Sequence, residues 1–316
     1  MELETIYLQV LRKQREADRV VSLELGRIDG APLPEWQPGA HIELTLPNGQ
    51  KRQYSLCGDL ACRDIWQIAI LNDPHSRGGS RLIHENVAVG DVLTSSLPRN
   101  QFPLVSAPAY IMVAGGIGIT PILPMIDRIA RSGAPWRLIY GGRSRASMAF
   151  LDKLSSLPAS AVEILPQDEI GLIDLDLIDS LVAPVETALY CCGPEVLISA
   201  VEARFRNRPG ISLYRERFAA SAKGAPGDGS FEIELARSGR ILSVPPFESP
   251  LRILREAGCD VPYSCEAGIC GTCAVRVISG TPDHRDDVLT DEERQAANVM
   301  LPCVSRALSS RLVLDI

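Results

Sequence analysis

Short runs of alternating apolar and polar residues dominate the first hundred positions. His41 to Leu46 reads as a strand, Pro47-Asn48-Gly49 as a turn and Gln53 to Leu56 as the returning strand. Trp66 to Leu71 alternates as another strand, and turn residues crowd Asn72 to Ser80. Many short strands punctuated by Gly and Pro predict a small antiparallel β-barrel. Near Ala109 the pattern changes. Tyr110 to Ala114 is a β-rich run feeding a glycine turn, and a helical stretch follows to about Arg131. Trp136 to Tyr140, Val162 to Leu165 and Ala188 to Cys192 predict further strands, with a helix over Ala146 to Leu157. Strand and helix alternating at this spacing predict a parallel α/β domain.

Ala219 to Ser230 (AASAKGAPGDGS) is small, polar and Gly-rich, the composition of a flexible linker. Beyond it, Phe231 to Leu235 and Arg240 to Val244 read as a hairpin around Ser238-Gly239, and Pro250 to Gly258 as a short helix. The expected organisation is a β-barrel over 1–105, an α/β parallel-sheet domain over 106–222, a linker at 223–229 and a third domain over 230–316. No internal repeat is visible.

With 316 residues, 46% of them hydrophobic, the chain can fill several cores, and wholesale disorder is excluded. A net charge of -7 argues against a nucleic-acid binder, which needs clustered Lys and Arg. Charges interrupt every apolar window near the N-terminus, so no secretory signal is read. The longest apolar stretch, Tyr110 to Ile126, is broken by Gly115, Gly116, Gly118, Pro121 and Pro124, which excludes an unbroken spanning helix. Nine cysteines are too few for a disulfide scaffold of this length. The expectation is a soluble protein of the reducing cytoplasm, where thiols persist as thiols or metal ligands.

Four of the nine stand in a pattern. Cys265, Cys270 and Cys273 form C-x4-C-x2-C, and Cys303 follows after twenty-nine residues. Three thiolates on one loop plus a distant fourth is the plant-type [2Fe-2S] spacing, two thiolates to each iron. Gly268 and Gly271 would let backbone N–H groups approach the sulfurs. Four-cysteine zinc sites usually come as two close pairs instead.

Asp260 to Cys273 (DVPYSCEAGICGTC) resembles the cluster loop of plant-type ferredoxins. Gly280 to Asp287 (GTPDHRDD) with Leu301-Pro302-Cys303 resembles the ferredoxin domain of phthalate dioxygenase reductases and their vanillate demethylase reductase relatives. The resemblance covers essentially the whole chain. It implies the order flavin barrel, nicotinamide domain and β-grasp ferredoxin domain.

Arg52-Gln53-Tyr54-Ser55-Leu56 resembles the R-x-Y-S strand of the ferredoxin reductase superfamily. An Arg can hold a phosphate, and an aromatic and a hydroxyl can meet a flavin. The resemblance implies Tyr54 against the isoalloxazine ring and Ser55 near flavin N5. Arg77-Gly78-Gly79-Ser80 is a turn whose N–H groups and hydroxyl can cradle a phosphate, by resemblance that of FMN. An FAD-using relative has a similar turn.

Val113 to Pro121 (VAGGIGITP) follows a strand and opens a helix, although it departs from G-x-G-x-x-G. Its glycines Gly115, Gly116 and Gly118 allow backbone approach to a pyrophosphate, the helix N-terminus favours the anion, and Thr120 can add a hydroxyl. Cys192-Gly193-Pro194 matches the C-G-P corner that the superfamily places beside the nicotinamide. Glu216 and Phe218 stand where relatives close this domain, and by resemblance Phe218 is the aromatic over the flavin. After the second α/β strand, Gly141 to Arg145 (GGRSR) carries two arginines and no acid. That leaves NADPH open beside the NADH that the resemblance favours.

The implied function is hydride transfer from nicotinamide to flavin near Tyr54, Ser55 and Cys192, then single-electron exit through the cluster. The implied partner is a Rieske-type non-haem iron oxygenase, with the reductase a monomer. His41, His75, His84 and His284 are read as structural or surface residues. A free-standing flavin reductase and a non-enzymatic redox sensor are the competing classes. The first makes the cluster superfluous, and the second has no need of a nicotinamide loop.

Overall fold

The computed structural model describes residues 4–74, 78–218 and 229–316. The chain falls into two compact units, Met1–Glu216 and Arg217–Ile316.

The first unit holds two sheets. β1 (Thr5–Ala17), β2 (Val20–Arg27), β3 (Ala40–Thr45), β4 (Lys51–Ser55), β5 (Trp66–Leu71), β6 (Val92–Ser96) and β7 (Arg99–Asn100) form an antiparallel sheet. Its order is β4-β3-β6-β1-β2-β5, with β7 beside β3. The two ends of this path, β4 and β5, meet through a bridge between Leu56 and Ile68, which curls the sheet round its core. Leu8, Leu23, Leu25, Ile42, Leu44 and Ile68 fill that core with no exposed surface. The paired long strands β1 and β2 carry two register shifts, which bend the ribbon. α1 (Gly79–Asn86) follows β5, so the end of the expected Asn72 to Ser80 turn is already helical. His75 and Arg77 lie outside the described residues.

β8 (Ala109–Gly115), β9 (Trp136–Gly142), β10 (Val162–Pro166), β11 (Thr187–Cys192) and β12 (Ile211–Glu216) build the second sheet, entirely parallel in the order β10-β9-β8-β11-β12. β8 is buried along its whole length, as a central parallel strand with both faces covered must be. α2 (Ile119–Ser132) follows β8 through one turn of 3-10 helix at Gly116–Gly118. The helix expected over Ala146 to Leu157 is much shorter. A 3-10 turn at Arg145–Ser147 is followed by Phe150 at φ 63, and only then by α3 (Leu151–Ser155). Burial of Met148, Ala149 and Phe150 in the core overrides the helical pattern there. α4 (Gln167–Ile170), α5 (Leu175–Ser180) and α6 (Glu195–Phe205) complete the layer. Ala17, Val20, Cys57, Ala69 and Phe102 join the α2 residues in one apolar cluster, so both sheets of this unit share a core.

The second unit contains β13 (Phe231–Leu235), β14 (Ile241–Val244), α7 (Pro250–Glu256), β15 (Val275–Ser279), β16 (Pro282–Asp283), α8 (Asp291–Ala296), β17 (Val299–Met300), β18 (Arg306–Ala307) and β19 (Arg311–Leu314). The main sheet runs β14-β13-β19-β15-β17, with the β13–β14 hairpin as expected and β19 parallel to β13. Ser249 caps α7 through Arg252 N–H, and Pro250 opens the helix, where a missing N–H costs nothing. Of the expected linker at 223–229, only Gly229 lies within the described residues. Among the described residues no helix is long and apolar enough to cross a membrane.

Candidate functional site

Three clusters of side chains and backbone carry the chemistry. The first lies between β4 and α1. A Cβ at Gly79 would stand 2.6 Å from Nε of Arg52, so only glycine lets the guanidinium lie against the first turn of α1. Gly78, at φ 88, turns the chain into the helix, and no side-chain cap or acidic residue occupies that first turn. Backbone N–H groups at a helix start beside a guanidinium are suited to a phosphate. Ser80 belongs to the same turn. Further along β4, Tyr54 packs against the core of the curled sheet, and burial pushes its phenol well above the usual range. Ser55 is buried and faces His41 across the β3–β4 pair. Burial and Arg99 hold His41 down at about 4, so its ring is neutral near pH 7.

The second cluster occupies the carboxyl edge of the parallel sheet. Strand order reverses at β8 and β11, the place where open α/β sheets form a crevice. The AGGIGITP and CGP segments meet there through their glycines. A Cβ at Gly118 would stand 2.2 Å from the Cys192 carbonyl oxygen, and one at Gly115 would stand 2.6 Å from Pro194. Gly193 in turn backs onto the Gly115 Cα at 2.9 Å from its own would-be Cβ. Gly116, at φ 53, makes the turn itself. The N-terminus of α2 has no acidic residue in its first turn and no side-chain cap. Thr120 is buried, and its hydroxyl donates to the Ile117 carbonyl at 2.9 Å, bracing the loop from within.

Cys192 is fully buried, and burial, then Glu216 and Cys191, push its thiol up, so it is neutral. Glu216 pairs with it in the β11–β12 register. Burial raises the Glu216 carboxyl to about 8, and its Oε2 is buried without a hydrogen-bond partner. Two neutral polar groups therefore end adjacent strands at this edge. Phe218 is 40% exposed and stands in the second unit.

The third cluster is the thiol loop. Cys265, Cys270, Cys273 and Cys303 are all buried and unbridged. They gather as two pairs. Cys265 donates to Cys270, which the bond pulls down to about 5, and Cys303 donates to Cys273, lowering it likewise. Among the described residues no three His, Cys, Asp or Glu side chains converge as a set for one metal ion. Two pairs, not a triad, are what two irons with two thiolates each require.

Backbone donors also point at the sulfurs. The N–H groups of Ala267 and Ile269 reach Cys265, that of Gly268 reaches Cys303, and that of Thr272 reaches Cys270. Positive φ at Glu266, Gly268 and Gly271 turns these amides inward. Such donors stabilise sulfur-borne negative charge, so the residues fit a binuclear cluster. Beneath the loop, Asp287 N–H donates to the Gly268 carbonyl at 2.9 Å, and the His284 ring is buried 3.9 Å from Asp286.

The comparisons agree with this layout. Residues 233–308 match the 2Fe-2S iron-sulfur cluster binding domain, and residues 112–203 match the oxidoreductase NAD-binding domain. A tetrachlorobenzoquinone reductase of Sphingobium chlorophenolicum is 40% identical over 99% of this chain and 98% of its own. A vanillate O-demethylase oxidoreductase of Pseudomonas putida is 40% identical over 97% of this chain and 98% of its own. The solved structure of a phthalate dioxygenase reductase superposes with a TM-score of 0.76 at 38% identity, covering 99% of this chain and 98% of that one. An intact type IV self-sufficient cytochrome P450 monooxygenase gives a TM-score of 0.85 at 39% identity, with 99% of this chain spanning 41% of that one. The chain therefore belongs to the phthalate dioxygenase reductase and vanillate O-demethylase oxidoreductase family, oxidoreductases that join a nicotinamide domain to a [2Fe-2S] ferredoxin domain.

Proposed function

We propose that the chain is the reductase component of a two-component Rieske-type oxygenase, carrying electrons from NADH through FMN to the [2Fe-2S] centre. The carrying observation is the two thiol pairs with amides aimed at their sulfurs, in a chain that also has a nicotinamide edge. Nicotinamide delivers electrons as a hydride pair, the cluster takes one at a time, and a flavin converts between the two. Arg52 and the amides of Gly79 and Ser80 would bind the flavin phosphate, with Tyr54 and Ser55 toward the ring. Gly115, Gly116, Gly118, Gly193 and Pro194 would hold the dinucleotide against the backbone. Cys192 and Glu216, both neutral near pH 7, would orient the nicotinamide without placing a fixed charge beside it. The family resemblance supports FMN over FAD.

NADH over NADPH has support beyond family likeness. Arg145 is tied to Glu169 at 2.8 Å, so one of the two arginines after β9 is partly neutralised. The segment from Ser230 holds thirteen acids against nine bases, which favours a partner with a basic docking face. Nine unbridged thiols support a cytoplasmic location, and a monomer suits a mobile carrier.

The purified protein should show flavin bands over iron–sulfur absorption, and anaerobic NADH should bleach both. Absence of bleaching by NADH and NADPH alike would overturn the reading. The likeness to a self-sufficient P450 supports a second acceptor, a cytochrome P450. Supplying each class of oxygenase in turn separates the two: the true acceptor alone supports substrate-dependent NADH oxidation.

A further inference from the structure

At the far end of α1 stands a residue that none of the sequence motifs contains. Lys13, on β1, donates from Nζ to three backbone carbonyls, Ile83 at 2.9 Å, His84 at 2.8 Å and Val87 at 2.7 Å. These are carbonyls of the last helical turn and the residue just beyond it, which have no partners within the helix. An ammonium has three donors, and here all three are used on one helix end. The site is part-buried, and desolvation lowers the Lys13 pKa while Asp91 raises it.

We infer that Lys13 is a positioning residue for the flavin phosphate, acting through α1. This rests on the flavin reading above. The eight residues of α1 span about 12 Å, so Lys13 holds one end while the other end meets Arg52. A cation at the C-terminus also complements the helix dipole whose positive end faces the phosphate. Further tethers lie in the same C-terminal half: Ile83 is fully buried, and the His84 ring meets the Ile70 carbonyl at 2.9 Å. Toward its N-terminus, only Gly79 is buried. By fixing the C-terminal turn through three hydrogen bonds, Lys13 helps set the direction in which the phosphate-binding amides point.

The test compares FMN with riboflavin, which lacks the phosphate, on flavin-depleted full-length protein by fluorescence titration. Wild-type protein should bind FMN much more tightly than riboflavin. Lys13→Met should weaken FMN about tenfold, near 1.4 kcal/mol, and leave riboflavin unchanged. The loss should persist in molar salt, where the Debye length is about 3 Å and a direct charge effect over the length of α1 would vanish. Lys13→Arg should recover only part of the selectivity, because a planar guanidinium cannot reach three carbonyls arranged about an ammonium.

Equal weakening of both flavins by Lys13→Met, or no weakening of either, overturns the inference. If Lys13→Met does not fold, Lys13→Arg decides alone, and wild-type selectivity in it overturns the inference. Wild-type protein that binds riboflavin as tightly as FMN removes the phosphate site itself, and this inference with it. That outcome is distinct from the others because it appears before any substitution is made.

Discussion

Replacing Gly118 with alanine strikes the tightest of the contacts that join the AGGIGITP loop to the CGP corner. The added methyl would stand 2.2 Å from the Cys192 carbonyl oxygen, 2.5 Å from its carbon and 2.8 Å from Gly193 N, where Cβ contacts do not fall under 3.0 Å. All three atoms are backbone, so no side chain can swing aside. β11 or the 3-10 turn must yield by about 1 Å, and displacements of that size at a reacting centre cost on the order of 10²-fold in rate. Overpacking of this kind also costs about 1–3 kcal/mol of stability.

The assay is anaerobic stopped-flow bleaching of the flavin by NADH, read beside a thermal melt. Gly133→Ala is the control. Gly118 has ordinary helical backbone at φ -62, whereas Gly133→Ala forces a side chain into left-handed backbone, at φ 77, but into open space at the far end of α2. The control should lose about 1–2 kcal/mol of stability and keep its bleaching rate. Gly118→Ala should slow bleaching by far more than any shared loss of stability explains. A rate within twofold of wild type would refute the claim that this glycine contact sets the nicotinamide geometry.

Other substitutions separate the remaining parts. Cys270→Ser breaks one thiol pair and should remove the iron–sulfur absorption and NADH-driven cytochrome c reduction, while ferricyanide reduction by the flavin persists; equal survival of both activities contradicts the proposed exit route. Glu216 keeps its proton to about pH 8 when folded, against 4.5 for an ordinary glutamate. Its stabilising effect is therefore full below pH 4.5, declines by about 1.4 kcal/mol per pH unit above it, and levels off near pH 8. Melting of the first unit should fall across this window, Glu216→Gln should flatten the fall, and an unchanged slope in the variant would show that burial of Glu216 is not its cause.

The sites were more legible in the sequence than the scaffold between them. The cysteine spacing and the two glycine segments stand out because cluster and dinucleotide geometry constrain residue type at fixed offsets, whatever lies around them. Spacing could not say which thiols pair, since Cys273 meets Cys303 only through the fold. Thr120 carries the right functional group, but its hydroxyl turns to Ile117, a direction set by backbone and not by residue type. Glu216 was visible only by its place after the last α/β strand; its neutrality comes from burial against Cys192.

Among the elements, β1 was unread because its second half, Leu11 to Arg15, is mostly exposed and charged, so no apolar alternation runs its length. The helix over Ala146 to Leu157 failed for the opposite reason, that tertiary burial of Met148 to Phe150 outweighs local propensity. Lys13 had no signal at all, because the carbonyls it serves lie seventy positions or more away.

The position of β19 bears on how the protein is made. Last in sequence, it lies in the middle of its sheet, between β13 and β15. Until residues 311–314 have left the ribosome, β13–β14 and β15–β17 are two separate halves with unpaired edges. The β15–β17 pair, with Val275 opposite Met300, already brings Cys303 toward Cys273, and Leu312 and Leu314 of β19 then complete the apolar cluster that holds both thiols. Met1–Glu216 can meanwhile fold during synthesis as a unit with its own core. Chains stalled short of Arg311 should then carry flavin but hold the iron–sulfur cluster only weakly, because the core around two of its thiols is still open.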